Sequence, residues 1–187
     1  MTNIGKRIMV VGSPGSGKST FSRKLAEITG LPLIHLDKEF WNNGWIETPR
    51  EEWVKKQKCL ISGYEWIVDG NYGGTMDIRL EKADTVICFK LSRAVCLQSY
   101  FKRVITNIGK VRPDMPAGCP EWFDFEFMKY IWNFPKKSGQ ANINRLEKIE
   151  GKQIIVFKNR REVNRFIIEL SNVKSKGRRF LFKVMKY

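Results

Sequence analysis

The chain has 187 residues, 42% of them hydrophobic, with 34 Lys and Arg against 19 Asp and Glu for a formal charge of +15. That is the length and composition of one globular domain; it excludes intrinsic disorder, and a core of this size requires neither a disulfide nor a structural metal. Uninterrupted apolar runs such as Ile8 to Val11 and Val86 to Phe89 fall far short of the roughly 20 residues of a membrane-spanning helix, no secretory h-region fits before the first glycine-rich loop, and the expectation is a cytoplasmic protein with Cys59, Cys88, Cys96 and Cys119 reduced.

In chain order, Arg7 to Val11 reads as a short buried strand running into a glycine-rich loop, and Lys18 to Thr29 as a helix stopped by Gly30. Pro32 to Leu36 is the second strand. Thr48-Pro49-Arg50-Glu51 has the form of a capping box with proline at the first helical position, predicting a helix to about Gly63. Strands follow at Trp66 to Asp69 and Thr85 to Leu91, and Ser92 caps a long helix to about Ile108. Gly109, Pro113, Pro116, Gly118 and Pro120 then break the pattern into a loop. Glu121 to Phe134 and Ala141 to Ile149 read as helices, Gln153 to Phe157 as the last strand, and Arg161 to Leu170 as the closing helix. Strand and helix alternate without a linker, which means a parallel sheet, α/β in class, over residues 1–173. Residues 174–187 form a basic tail without a single acid, and residues 92–187 carry 21 basic side chains against 8 acidic, whereas residues 1–91 carry 13 against 11. That cationic half suggests either plain solubility or an anionic partner such as DNA.

Gly12-Ser13-Pro14-Gly15-Ser16-Gly17-Lys18-Ser19 matches G-x-x-x-x-G-K-[ST] between a strand and a helix, the context that a phosphate-binding loop requires. Its backbone N–H groups, together with Thr20 and the positive end of the helix, cradle a polyphosphate. Lys18 pairs with the β- and γ-phosphates, and Ser19 offers its hydroxyl to Mg²⁺, so ATP with Mg²⁺ is the expected ligand. A second metal-holding group belongs at the carboxyl end of a neighbouring strand: Asp69 fits there, whereas Asp84 precedes its strand and faces the opposite edge. Asp37, closing the second strand, is placed to orient an acceptor hydroxyl or take its proton. The lone histidine, His35, sits in a core pattern and reads as structural. Arg103 and Arg112 flank the Pro/Gly-rich break as a cationic flap over the triphosphate, with the lid at about residues 103–120, and Arg79 is expected to grip an anionic part of the acceptor. Trp41, Trp45 and Tyr72 follow strand ends, where rings stack on an acceptor. Trp122, Phe123, Phe127 and Trp132 share a helical face and are expected to pack on the body.

These segments resemble the adenylate-kinase-like P-loop proteins, and most closely the subgroup known as DNA topology modulation proteins. The resemblance is carried by Gly12 to Ser19, Ile34-His35-Leu36-Asp37 with Trp41 and Gly44-Trp45, Trp66-Ile67-Val68-Asp69-Gly70-Asn71-Tyr72, Ala83-Asp84-Thr85, Arg112-Pro113-Asp114 and Cys119-Pro120-Glu121. It implies a three-layer α/β/α P-loop NTPase fold, a five-stranded parallel sheet of order 2-3-1-4-5, ATP binding and a short arginine-bearing lid. Where true adenylate kinases have Asp-Gly-Phe-Pro-Arg, this chain has Asp69-Gly70-Asn71-Tyr72-Gly73, without the arginine that holds a nucleoside monophosphate. Two functions are expected on this reading: transfer of the γ-phosphoryl of Mg·ATP to a small-molecule acceptor or, alternatively, nucleotide-dependent regulation of DNA topology.

Overall fold

The computed structural model describes residues 4–176. Five strands form one parallel sheet: β1 (Arg7–Gly12), β2 (Leu33–His35), β5 (Trp66–Asp69), β6 (Thr85–Phe89) and β7 (Gln153–Phe157), in the spatial order β2-β5-β1-β6-β7. Counted within this sheet alone, that is the expected 2-3-1-4-5. The numbering shifts because a two-residue hairpin, β3 (Trp41–Asn42) with β4 (Ile46–Glu47), interposes two strands that the sequence pattern does not signal.

Strand alternation divides the core between the two faces of the sheet. Ile8, Val10, Ile67, Ile87, Phe89, Ile155 and Phe157 point to one side, where α1 (Lys18–Thr29), α5 (Arg93–Asn107) and α8 (Arg160–Lys176) supply Phe21, Leu25, Cys96, Tyr100, Val104 and Phe166. Met9, Val11, Trp66, Val68, Val86 and Cys88 point to the other, against Trp53 and Ile61 at α3 (Arg50–Leu60), Met76 and Leu80 of α4 (Met76–Lys82), and Leu146 of α7 (Gln140–Glu147). Three layers result, α/β/α, with strands buried on both faces as their unbroken apolar runs require.

End signals hold in some places and fail in others. Gly30 closes α1 with φ 81° and Ser92 Oγ accepts from Val95 N at 3.4 Å to cap α5, both as expected. Thr48 does not cap α3: its hydroxyl donates to the Phe40 carbonyl across the hairpin, and Pro49 takes the cap position. The second strand stops at His35, because Leu36 to Phe40 coil into one helical stretch, α2, and so Asp37 rides on the first turn of a helix. The aromatic helix, α6 (Phe125–Asn133), starts four residues later than the periodicity suggests, capped by the Asp124 carboxylate accepting from Phe127 N at 2.9 Å. Glu121 to Phe123 is not helical, with Glu121 bridged to Ile108 and Pro120 to Val111 across the loop after α5. Of the four aromatics expected to pack, only Phe127 touches the core; Trp122, Phe123 and Trp132 are exposed. The closing helix runs on to Lys176, and residues 177–187 of the basic tail lie outside the described residues.

Candidate active site

The carboxyl ends of β1, β2 and β5 meet at the crevice where the sheet order reverses, the place where doubly wound sheets hold ligands. A cleft of about 1330 Å³ opens there and continues under the loop after α5. Its floor is the turn between β1 and α1. Gly12 has φ 135° and Gly15 φ 74°, and a β-carbon on either would lie 2.4 Å from a carbonyl oxygen, that of Phe89 or of Cys96 respectively, so these two positions admit only glycine. Gly17, with φ 93°, opens α1 without a side-chain cap, leaving the first N–H groups of the helix toward the cleft. Pro14, Ser16, Ser19 and Thr20 line the same turn, while Ser13 is buried and offers its carbonyl to Lys18 Nζ at 2.9 Å. Burial pulls the Lys18 amine below its ordinary pKa, and the nearby carboxylates of Asp69 and Asp37 act against that fall.

Asp69 ends β5 in register with Val10 on one side and His35 on the other. It is buried; one carboxylate oxygen, Oδ2, lies 2.9 Å from His35 Nδ1, and the other, Oδ1, has no partner among the described residues. The histidine read as structural from the sequence therefore touches the carboxylate expected at the metal. Asp84, the discarded candidate, is at the far end of the sheet, 2.6 Å from Arg7 Nη2. Among the described residues no group of three or more His, Cys, Asp or Glu could hold a metal ion alone. The donor set still fits Mg²⁺, which takes one or two protein oxygens and draws its remaining ligands from phosphates and water.

Asp37 lines the cleft and accepts a hydrogen bond from the Tyr72 hydroxyl at 2.8 Å. Burial raises its pKa, Asp69 adds to the rise, and the Tyr72 hydrogen bond with the charges of Arg112 and Lys18 acts against it. The expected carboxylate and the expected phosphate lysine are thus electrostatic neighbours. Tyr72 itself is wedged between Phe40 and Trp53, at 4.8 and 5.1 Å between ring centroids, so its ring packs and only its hydroxyl faces Asp37. Trp41 lines the cleft and continues edge-on through Trp45 to Trp122, at 5.4 and 4.8 Å, forming an aromatic wall in which the hairpin and the loop after α5 meet.

Arg103 and Arg112, expected as a flap over the triphosphate, come together on one carboxylate to which the sequence pattern assigns no role. Glu121 is buried, with Oε1 2.9 Å from Arg103 Nη2 and Oε2 2.7 Å from Arg112 Nε, while Arg112 Nη1 also donates to Asp114 Oδ2 at 2.7 Å. Burial acts to raise the Asp114 pKa, and Arg112, with His35 and the Ser19 hydroxyl nearby, holds it below the ordinary value instead. Arg79 corrects the sequence reading. It is fully buried and its guanidinium donates to the carbonyls of Gly70 (3.0 Å), Asn71 and Tyr72 (3.1 Å), so it shapes the loop after β5 and cannot reach an acceptor. A buried cation must spend its donors on whatever acceptors surround it, and here these are backbone carbonyls. The expected contact with DNA rested on charge and on the basic tail; nothing among the described residues speaks for it. No helix among them is long and apolar enough to cross a membrane.

No family model matches the chain. Over 112 residues it is 31% identical to the adenylate kinase of Mycobacterium leprae, in strains Br4923 and TN alike, an alignment covering 56% of this chain and 60% of that protein. The chain thus spans about 60% of the length of the curated relatives it matches. A crystal structure of a gluconokinase from Sinorhizobium meliloti 1021 superposes with a TM-score of 0.52 at 16% identity, covering 94% of each chain, a likeness of fold. The narrower resemblance to DNA topology modulation proteins has no counterpart among these relatives.

Proposed function

We propose that this chain is an ATP-dependent phosphotransferase that moves the γ-phosphoryl of Mg·ATP to a hydroxyl of a small-molecule acceptor. The observation that carries the reading is the meeting of Lys18, on an anion-cradling turn, with Asp37 and the Arg103–Glu121–Arg112 group in one cleft. The partial similarity to adenylate kinase supports a nucleotide-binding phosphotransferase; it leaves the acceptor open.

Each residue then has a task. The turn from Gly12 to Thr20 holds the triphosphate, with Lys18 on the β- and γ-oxygens. Ser19 and Asp69 hold Mg²⁺, which when bound offsets charge on the phosphates. Asp37 aligns the acceptor hydroxyl and receives its proton as the oxygen bonds to the γ-phosphorus and the bond to the β-phosphate oxygen breaks, releasing ADP. Residues 103–120 serve as the lid, where Arg103 and Arg112 face the migrating phosphoryl and Glu121 keeps the two like charges side by side. Trp41 borders the acceptor, and Tyr72 orients Asp37. The test is a screen of nucleosides, nucleotides, sugars and hydroxy acids for ATP-dependent phosphorylation. Transfer to at least one acceptor by the wild type and none by Lys18→Ala is the expected result; no transfer above the Lys18→Ala background to any of them would overturn the reading.

A further inference from the structure

Part of the cleft wall is built by Ser138, in the π-helical turn Pro135–Gly139, and by α7, a stretch to which sequence motifs assign nothing. Leu146 of α7 enters the core while Asn142 and Arg145, three residues apart and so on one face, line the cleft. Asn142 is 3% exposed and its Nδ2 has no hydrogen-bond partner among the described residues. Leaving a buried amide donor unpaired costs free energy unless a ligand completes it. Arg145 projects over Gly73: a β-carbon there would stand 3.6 Å from its Nη1. Its carboxylate partner, Asp77, is 3.5 Å away and 77% exposed, a screened pair that leaves the guanidinium open to a better anion. Tyr130 and Ser138 line the same cleft as Asp37, on the side of this wall.

The other cations of the cleft have tasks elsewhere. Arg103 and Arg112, held by Glu121 and Asp114, belong to the phosphoryl side, and Lys18 stands at the phosphate turn, while Arg79 is buried on carbonyls and does not line the cleft. Arg23, Lys24 and Arg160 belong to α1 and α8, the opposite helical layer. At the α7 end one helical face carries a part-exposed guanidinium that lines the cleft and a buried amide whose donor is unpaired, and such groups are the chemistry of an oxyanion site.

From this geometry we infer that Asn142 and Arg145 form an acceptor subsite for an oxyanion, a carboxylate or a phosphate, so that the substrate is a small hydroxylated anion with its hydroxyl at Asp37 and its charge at α7. The inference rests on the phosphotransferase reading, and it replaces the anion-gripping part that the sequence suggested for Arg79.

The experiment uses the full chain with ADP and Mg²⁺ titrated first, which tests the phosphate turn by itself. On that complex, matched pairs are titrated by calorimetry: glycerate against glycerol, a hexonate against its parent hexose, and adenosine monophosphate against adenosine. At least one anionic member is expected to bind about 10-fold or more tightly than its neutral partner, the scale of a buried charge-assisted hydrogen bond. Arg145→Gln, at a side chain already 36% exposed, and Asn142→Asp are each expected to erase that preference while ADP binds as before. Preference for an acid identifies a carboxylate, and preference for the monophosphate identifies a phosphate. Absence of any anion preference in the ADP-loaded protein, or a preference surviving Arg145→Gln with ADP binding intact, overturns the inference; failure to bind ADP overturns the phosphotransferase reading instead.

Discussion

Asn71 closes two hydrogen bonds on a single residue: Gly12 N donates to its Oδ1 at 2.9 Å and its Nδ2 donates to Gly12 O at 2.8 Å. The loop after β5 is thereby tied to the first glycine of the phosphate turn, and Arg79 holds that same loop from beneath through the Gly70, Asn71 and Tyr72 carbonyls.

Asn71→Ala should therefore loosen the turn without touching a ligand. Losing one partner of a paired buried backbone group costs about 1–3 kcal/mol. Calorimetry should show ADP binding weakened roughly 10-fold, and urea unfolding should show a lower midpoint. A variant with wild-type affinity and midpoint would mean that the turn keeps its shape unaided.

Gly15→Ala tests the turn from the other side. With φ 74° and the Cys96 carbonyl oxygen 2.4 Å from the new carbon, the backbone must shift. Strain of this kind costs on the order of 1–3 kcal/mol, and ADP binding should be lost even where circular dichroism shows an intact fold.

Glu121→Gln should be more damaging than its distance from the phosphate turn suggests. It leaves Arg103 and Arg112 side by side without the charge that joins them. Removing one member of a buried ion pair costs about 3–5 kcal/mol, readable as a fall in the urea midpoint. Phosphoryl transfer should fall with it, because the two arginines no longer share a fixed position.

Asp37 gives a pH signature with a defined sign. Burial raises its pKa, so the folded state binds this proton more tightly than the unfolded chain does. Its contribution to stability is present at low pH and is lost as pH rises through the raised value, and Asp37→Asn should flatten that loss in denaturation curves run at several pH values. Activity runs the other way: transfer needs the carboxylate charged, so the rate should rise with pH through the same raised value. Asp37→Asn should remove this acid limb and lower kcat by roughly 10²–10⁴.

What was readable in the chain was whatever depends on near neighbours. A glycine-spaced turn between a Val-rich strand and a helix is a contiguous signal, and Gly12 to Ser19 fold where that signal lies. Apolar runs flanked by Gly30 or Ser92 likewise report strand and helix ends. The place of Asp69 at the cleft is legible because it sits at a strand terminus, and a parallel sheet brings every such terminus to one edge. The misses share one property. Thr48 bonding to Phe40, Arg79 turning inward, Glu121 joining two arginines and Asn142 facing the cleft are all choices of partner, made between groups separated along the chain or lying on different elements.

The amino-acid order by itself determined the phosphate turn, the alternation of strand and helix and hence the layered parallel sheet, because backbone sterics, caps and the period of apolar residues act over a few neighbours. Only the folded chain decided which charges are spent and which remain open. Arg79, Arg103 and Arg145 are alike as letters, yet the first is consumed by carbonyls, the second is held in position by Glu121, and the third leans over Gly73 beside a solvent-exposed acid. The reason is that a long cationic side chain takes its free energy from whichever acceptors the packed elements place around it, and burial fixes that choice.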